Sequence, residues 1–304
     1  MTFEIVSYTP DMIKKQVDLL WEITDQWDYP FGTSYASVEK QYSSKNFDPT
    51  TRFYAVEDGK LLGYITSATV TDLENGDYAT SRFPMSISEN PEIADRLMDS
   101  VVNRLRELGM QHIEAYAGPG MGNTEQMAKK YGFTRKFTRF KRSKITIDDL
   151  KVSGNIAGVR NYNDIADREA IKEIFVSKIG LTYEEGLNRY NSVVEAKHRK
   201  EVIDPNRVSW KVAEDSNGIT AFSYFHRSDR NPSTCVFSPI WSREDVDQSQ
   251  ITDNILSAQI ETLKPHGLKT VTSFLPPRSL DLDKFYVKFG FTFAPTYVYE
   301  KIIS

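Results

Sequence analysis

Few side chains in this sequence have the type and spacing that nucleophilic or metal chemistry requires. The one cysteine, Cys235, could attack as a thiolate, but a lone cysteine on an apolar strand is more often a small buried residue. His226 could act as a base, although a histidine at a strand end is usually exposed. One thiol and four scattered histidines do not form a zinc-ligand pattern. The sequence therefore predicts neither a metal site nor a covalent nucleophile.

Charged side chains offer two further candidates. Glu184 and Glu185 could take a proton from an incoming amine, or they could be the acidic first turn of a solvated helix. Basic residues cluster over Arg135–Lys144, where they alternate with Phe137 and Phe140. This pattern is typical of a strand with one solvated cationic face, and an anion-binding edge is the alternative.

Length and charge limit the class of protein. The chain has 304 residues, which suggests about two domains, and its hydrophobic content of 39% is that of a globular protein. The net charge of −4 argues against a dedicated nucleic-acid-binding protein. No signal peptide or membrane-spanning stretch is visible, and a single cysteine excludes an internal disulfide. We therefore expect a protein of the cytoplasm.

The sequence contains an internal repeat. Three landmarks recur in the same order at an offset of 157 or 158 residues. They are a hairpin (Phe53–Tyr64 and Trp210–Phe225), a glycine that ends a helix (Gly109 and Gly267), and a Gly-Phe pair (Gly132-Phe133 and Gly290-Phe291). Each copy reads as a strand, two helices, a hairpin, a strand, an amphipathic helix, a strand, a short helix and a final strand. The pattern predicts two α/β domains, residues 1–148 and 154–304, that pack together.

This order of elements resembles the GNAT superfamily of acyl-CoA N-acyltransferases. The segment Phe285-Tyr286-Val287-Lys288-Phe289-Gly290-Phe291 is similar to the aromatic-rich segment that ends in Gly-Phe in that family. The resemblance covers most of both copies. It implies two tandem domains, each with a mixed, mostly antiparallel central sheet flanked by helices. It also implies that acetyl-CoA is a co-substrate and that an amine, as a small molecule or on a peptide, is the acceptor.

In such a fold the diphosphate of CoA rests on backbone N–H groups at the N-terminus of the central helix. The corresponding loops here are residues 89–94 and 247–252, and neither has the family's glycines. Glu89 and Asp247 stand where the family has Gln or Arg. Copy one adds Glu92 and Pro91, which lacks an N–H. The resemblance therefore assigns CoA to copy two, on the residues Ile240, Ser249, Gln250, Thr252 and Asn254.

The family's general acid is a tyrosine four residues before the Gly-Phe glycine. Tyr286 stands there in copy two, whereas copy one has Ala128, with Tyr131 one helical turn later. The resemblance thus makes Tyr286 the acid that protonates the leaving thiolate, and copy one a degenerate partner. A core position is the alternative for Tyr286. The segment Trp27–Gly32 either borders the acceptor cleft or caps the first helix.

Three functions follow from these residues. The first is an N-acetyltransferase that moves an acetyl group from acetyl-CoA to an amine. The second is a catalytically inactive module that binds a small ligand or a protein, which the two degenerate loops favour. The third is an acyltransferase with aminoacyl-tRNA as donor, which the lack of positive charge disfavours.

Overall fold

The computed structural model describes residues 2–29, 33–71, 76–87, 90–178, 182–191, 208–228, 231–275 and 282–304. The chain divides into two compact units. Unit 1 comprises Met1–Arg139 and Ala294–Ser304, and unit 2 comprises Phe140–Phe293. These units differ from the ranges 1–148 and 154–304 that the repeat predicts, because the last strands change places.

Unit 1 is a sheet with helices on both faces. Its elements are β1 (Glu4–Ser7), α1 (Met12–Thr24), α2 (Tyr35–Tyr42), β2 (Arg52–Glu57), β3 (Lys60–Val70), β4 (Tyr78–Ser81), β5 (Met85–Ser86), α3 (Pro91–Glu107), β6 (His112–Ala117), α4 (Thr124–Lys130), the first half of β7 (Thr134–Thr146) and most of β14 (Phe293–Ile302). Neighbouring strands are antiparallel in the order β1-β2-β3-β4, whereas β4 and β6 are parallel.

Apolar clusters hold unit 1 together, and two of them form around α3 and α1. One face of α3 repeats Ile93, Leu97, Val101 and Leu105 at helical spacing, and these side chains are buried against the sheet. The apolar side of α1 is buried with Tyr54 and other residues of the neighbouring strands. The residues of β3 are buried in a nearly continuous run, so both faces of this strand are covered and it lies at the centre of the unit.

Unit 2 repeats this order. Its elements are the second half of β7, β8 (Val159–Asn161), α5 (Asp164–Lys178), α6 (Tyr183–Tyr190), β9 (Val208–Asp215), β10 (Gly218–Arg227), β11 (Thr234–Phe237), β12 (Trp241–Ser242), α7 (Gln248–Leu263), β13 (Thr270–Leu275) and α8 (Asp283–Tyr286). The strands β8-β9-β10-β11 are antiparallel, and β11 is parallel to β13. The mixed, mostly antiparallel sheet with flanking helices that the sequence predicts is confirmed in both units.

The final strands of the two repeats are exchanged. Strand β7 ends the first repeat, yet its residues 141–146 pair with β13 of the second repeat. Strand β14 ends the second repeat, yet its residues 297–302 pair with β6 of the first. Each unit therefore takes the strand beside its parallel pair from the other repeat.

The sheet of each unit opens at the corresponding pair of parallel strands. In unit 1, β4 pairs with β6 only as far as Ser81 and Ala115, and the following β5 pairs with β3. In unit 2, β11 pairs with β13 only as far as Phe237 and Ser273, and the following β12 pairs with β10. The single strand that the sequence predicts after each hairpin is thus two short strands. The second of them turns away from the neighbouring strand and leaves an opening in the sheet. An extended molecule can hydrogen-bond to such an edge as an added strand does.

Across the described ranges, none of the helices combines the length and the apolar character that crossing a membrane would require.

Candidate functional site at the sheet opening of unit 2

Tyr286 and Ile240 meet at the opening of the unit 2 sheet. The backbone N–H of Ile240 donates a hydrogen bond to the Tyr286 hydroxyl oxygen over 3.0 Å. Ile240 lies between β11 and β12, and Tyr286 is the last residue of α8. The structure therefore brings together two residues that the sequence predicts for the site, one with a hydroxyl group and one with a backbone donor.

The surroundings of Tyr286 are aromatic. Its ring lies edge-on to Phe237, Phe285 and Phe291, at centroid distances of 5.9, 5.5 and 5.8 Å. Only 2% of the residue is exposed. Burial raises the pKa of Tyr286 to about 12, and the hydrogen bond from Ile240 opposes this rise. The hydroxyl therefore keeps its proton throughout the neutral range, in a place that also serves the core.

The N-terminus of α7 is occupied by its own cap. The Asp247 carboxylate accepts hydrogen bonds from the N–H groups of Ser249 (2.8 Å) and Gln250 (3.2 Å). The Ser249 hydroxyl also contacts the Lys288 ammonium group. Asp247 thus takes the donors that a diphosphate would need and adds a charge of the same sign. A diphosphate at the predicted position would therefore compete with Asp247 for these two N–H groups.

The corresponding helix of unit 1 has the same arrangement. The Asn90 side chain accepts a hydrogen bond from the N–H of Glu92 over 3.0 Å, and Pro91 has no N–H to give. Glu92 adds a carboxylate in the first turn. Glu89 lies outside the described residues.

Thr252 and Asn254, the other residues predicted to bind CoA, are buried. The Asn254 side-chain amide donates to the carbonyl oxygen of Ala157 over 3.1 Å. Nearby, the N–H of Ser153 donates to the Asp253 carboxylate over 2.8 Å. This face of α7 therefore fixes the segment before β8, which is a structural role that sequence reasoning missed.

The remaining acid–base candidates have structural partners. Glu185 accepts hydrogen bonds from the N–H and hydroxyl of Thr182, which forms a capping box, and Glu184 is exposed beside it. Cys235 is buried in the core, as predicted, and burial raises the pKa of its thiol to about 12. His226 is half-buried on β10, not exposed as expected, and its ring lies 6.3 Å from that of Tyr224.

The basic stretch over 135–144 lies within β7, as a strand with an exposed face. Several of its cations have partners. Lys136 forms ion pairs with Glu114 and Glu300, Lys141 pairs with Asp283 over 2.6 Å, and the Arg135 guanidinium lies 4.6 Å from the Tyr297 ring centroid. These contacts favour the solvated-face interpretation over an anion-binding edge.

Near this strand, His112, Glu114 and Glu300 form a cluster whose potential ligand atoms lie within 4.8 Å of one another. The Lys136 ammonium group contacts both carboxylates, 3.6 Å from Glu114, so it supplies the positive charge that a cation would otherwise bring.

The aromatic segment after α1 packs on a glycine loop. A Cβ atom on Gly122 would lie 2.6 Å from the Trp27 ring, and one on Gly120 would lie 2.7 Å from the Tyr29 ring. Both glycines also have positive φ angles, so this loop depends on glycine twice. These contacts show that Trp27 and Tyr29 pack on the loop between β6 and α4. Pro30, Phe31 and Gly32 lie outside the described residues.

Unit 1 contains a polar cavity that the sequence did not indicate. It has a volume of about 330 Å³ and lies between α1, α2 and the strands beside the sheet opening. Gln16, Arg52, Arg82, Tyr116 and Thr124 are among its lining residues. They come from five separate elements or loops, so no local motif joins them. The one available signal is Gln16, a polar residue four positions from Met12 and Leu20 on the apolar side of α1.

Comparison with known proteins identifies the fold. No family model and no curated protein matches the sequence. A tandem GNAT protein from the clavulanic acid biosynthesis pathway is similar in structure, with a TM-score of 0.68 at 12% identity over 100% of this chain and 99% of that chain. A GNAT-family acetyltransferase from Colwellia psychrerythraea gives 0.66 at 11% identity, over 98% and 99% of the two chains.

A GCN5-related N-acetyltransferase from Sphaerobacter thermophilus is also similar, with a TM-score of 0.60 at 15% identity over 99% of this chain and 96% of that chain. These matches extend over both repeats and over nearly the whole length of each relative. The exchanged strands, the sheet openings and the repeated order of elements together give this chain the fold of the tandem GNAT proteins.

Proposed function

We propose that this protein is an N-acyltransferase that moves an acetyl group from acetyl-CoA to an amine, with its reaction centre at the sheet opening of unit 2. The observation that carries the proposal is the hydrogen bond between Tyr286 and Ile240. It puts a protonated hydroxyl and a backbone donor within 3.0 Å of each other, beside a strand edge that an extended thioester arm could follow. Acetyl is proposed as the acyl group because the similar structures include GNAT acetyltransferases.

The chemistry needs few protein groups. The neutral amine attacks the thioester carbonyl carbon, the C–S bond breaks, and the sulfur leaves as a thiolate. The proton that the amine nitrogen loses passes to solvent, from which Tyr286 regains the proton that it gives to the sulfur. The Ile240 N–H donates to the Tyr286 hydroxyl oxygen and can thereby orient that hydroxyl so that its proton points towards the substrate. The Tyr286 hydroxyl can donate to the departing sulfur because its raised pKa keeps it protonated. We further propose that unit 1 is a degenerate copy, since Ala128 replaces the tyrosine, and that the protein works in the cytoplasm.

Acetyl-CoA binding and turnover test this proposal. We expect titration calorimetry to give one acetyl-CoA site per chain. Thiol release with a panel of primary amines (an amino acid, an amino sugar and a polyamine) should then fall at least tenfold in Tyr286→Phe, because the sulfur loses its donor. Tyr162→Phe is the matched control, since it removes a tyrosine hydroxyl of the same unit that donates to Asp164 over 3.0 Å. Unchanged turnover in Tyr286→Phe would remove the acid assignment.

A non-catalytic binding module is the second candidate. The occupied helix N-termini favour it, because Asn90 and Asp247 take the donors that a diphosphate would use in both units. This function predicts no acetyl-CoA binding up to about millimolar concentration, where the binding free energy would be only about −4 kcal/mol. The calorimetric titration therefore separates the two functions.

A further inference from the structure

We propose that the polar cavity of unit 1 is a second ligand site, and that it binds a compact anion with a carboxylate or phosphate group. This inference goes beyond the proposed acyl transfer, since every residue on which it depends lies in unit 1. The volume of about 330 Å³ corresponds to roughly ten water molecules at about 30 Å³ each, which suits a ligand of about ten heavy atoms.

The charge of the wall selects the ligand. Two arginines, Arg52 and Arg82, line the cavity, and the lining residues that the structure describes include no Asp or Glu. The chain as a whole carries a net charge of −4, so this lining departs from the average surface. Guanidinium groups match carboxylate and phosphate oxygens in geometry as well as in charge. A cationic amine would find no carboxylate among the lining residues.

Two residues of the wall carry buried polar atoms that lack a hydrogen-bond partner among the described residues. Thr124 lines the cavity and is 4% exposed, and its hydroxyl has no hydrogen-bond partner among the described residues. The Nε of Arg52, a residue that is also 4% exposed, has none either. A native protein leaves few buried polar atoms unsatisfied, and an occupied site is one explanation for those that remain. Both atoms lie within the wall, so an acceptor-rich anion would reach them as their side chains turn towards it.

Other contacts hold the wall in place. The Arg52 guanidinium donates to the Asp48 carbonyl oxygen over 2.6 Å and lies 4.6 Å from the Phe47 ring centroid. The buried Gln16 accepts the Tyr42 and Tyr54 hydroxyls on its Oε1, at 3.0 and 2.8 Å. Its amide therefore presents the NH2 end as a further donor. Fixed donors of this kind lower the ordering cost of binding.

Titration calorimetry on the full chain tests the site with malate for the carboxylate class, glycerol 3-phosphate for the phosphate class and glycerol as the neutral probe. We expect one anion per chain, with glycerol bound at least tenfold more weakly than the better anion. The preferred anion identifies the class that the site takes. If neither anion binds better than glycerol, the proposal is wrong.

Two variants locate the binding. Arg82→Gln should lower the affinity for the better anion at least tenfold. Thr124→Val should lower this affinity several-fold, while the thermal midpoint of the ligand-free protein stays unchanged or rises. Arg135→Gln is the matched control, since it removes a cation from the exposed face of β7 in the same unit and should leave binding unchanged. Equal affinities in wild type, Arg82→Gln and Thr124→Val would overturn the assignment. Tyr286→Phe should also leave this binding unchanged, so the result is independent of the acyltransferase test.

Discussion

Burial of the Cys235 thiol makes the free energy of unfolding depend on pH from the mildly alkaline range upwards. Burial raises the pKa of Cys235 from an ordinary value of 9.0 to about 12. Above pH 9 the unfolded chain loses this proton while the folded chain keeps it, so the folded state is destabilised as pH rises. Through Cys235, the free energy of unfolding should fall by up to about 1.4 kcal/mol per pH unit, and this fall should end near pH 12.

Urea unfolding at pH 7, 8, 9 and 10 measures this slope. Cys235→Ala should lower stability at every pH, because it removes a buried atom, but its stability should fall less between pH 9 and pH 10 than that of wild type. Parallel curves for the two proteins would contradict the assignment of the slope to Cys235. The buried Tyr64 and Tyr286, whose pKa values are also raised to about 12, begin to contribute only near pH 10 in both proteins.

At the scale of elements, the cap of α7 sets how well unit 2 can hold an anionic donor. Asp247→Ser keeps a good N-cap side chain and removes the negative charge. We expect acetyl-CoA affinity to rise about fivefold, since two exposed unit charges 4 Å apart repel by about 1 kcal/mol in water. Titration calorimetry at low salt checks this change. Asp245→Ser, which alters an exposed carboxylate paired with Arg243 nearby, should have a smaller effect.

The elements themselves could be predicted because their signals are local. The apolar spacing of α3 and the turns at Asp58-Gly59 and Gly218 depend on residues that are close together in the sequence. The site could be predicted only in part. The Tyr286 position follows from the Gly-Phe landmark, but its contact with Ile240 joins residues 46 positions apart. The cavity residues Arg82 and Thr124 were missed because their surroundings are assembled from distant segments.

At the scale of the whole molecule, the exchanged strands mean that the sequence repeats should not be separable. A fragment of residues 1–148 lacks β14 and leaves the edge of β6 unpaired, and a fragment of residues 154–304 lacks the β7 residues that pair with β13. Unpaired apolar edges favour aggregation. We expect neither fragment to give a cooperative unfolding transition by circular dichroism.

A rejoined unit is the control for this experiment. Residues 1–139 connected to residues 294–304 by a short glycine-rich linker keep every strand of unit 1. This chain should unfold cooperatively and should retain the anion site. A cooperative transition in the fragment 1–148 alone would show that β14 is dispensable.

Strand exchange also sets the order of events during synthesis. The pairing of residues 112–117 with residues 297–302 cannot form until almost the whole sequence has left the ribosome. Contacts between such distant residues close a long loop and slow folding. The first unit must therefore wait, with one sheet edge uncovered, while the second is translated. We therefore expect the chain to need chaperones during translation. Both units should then complete their sheets late and together.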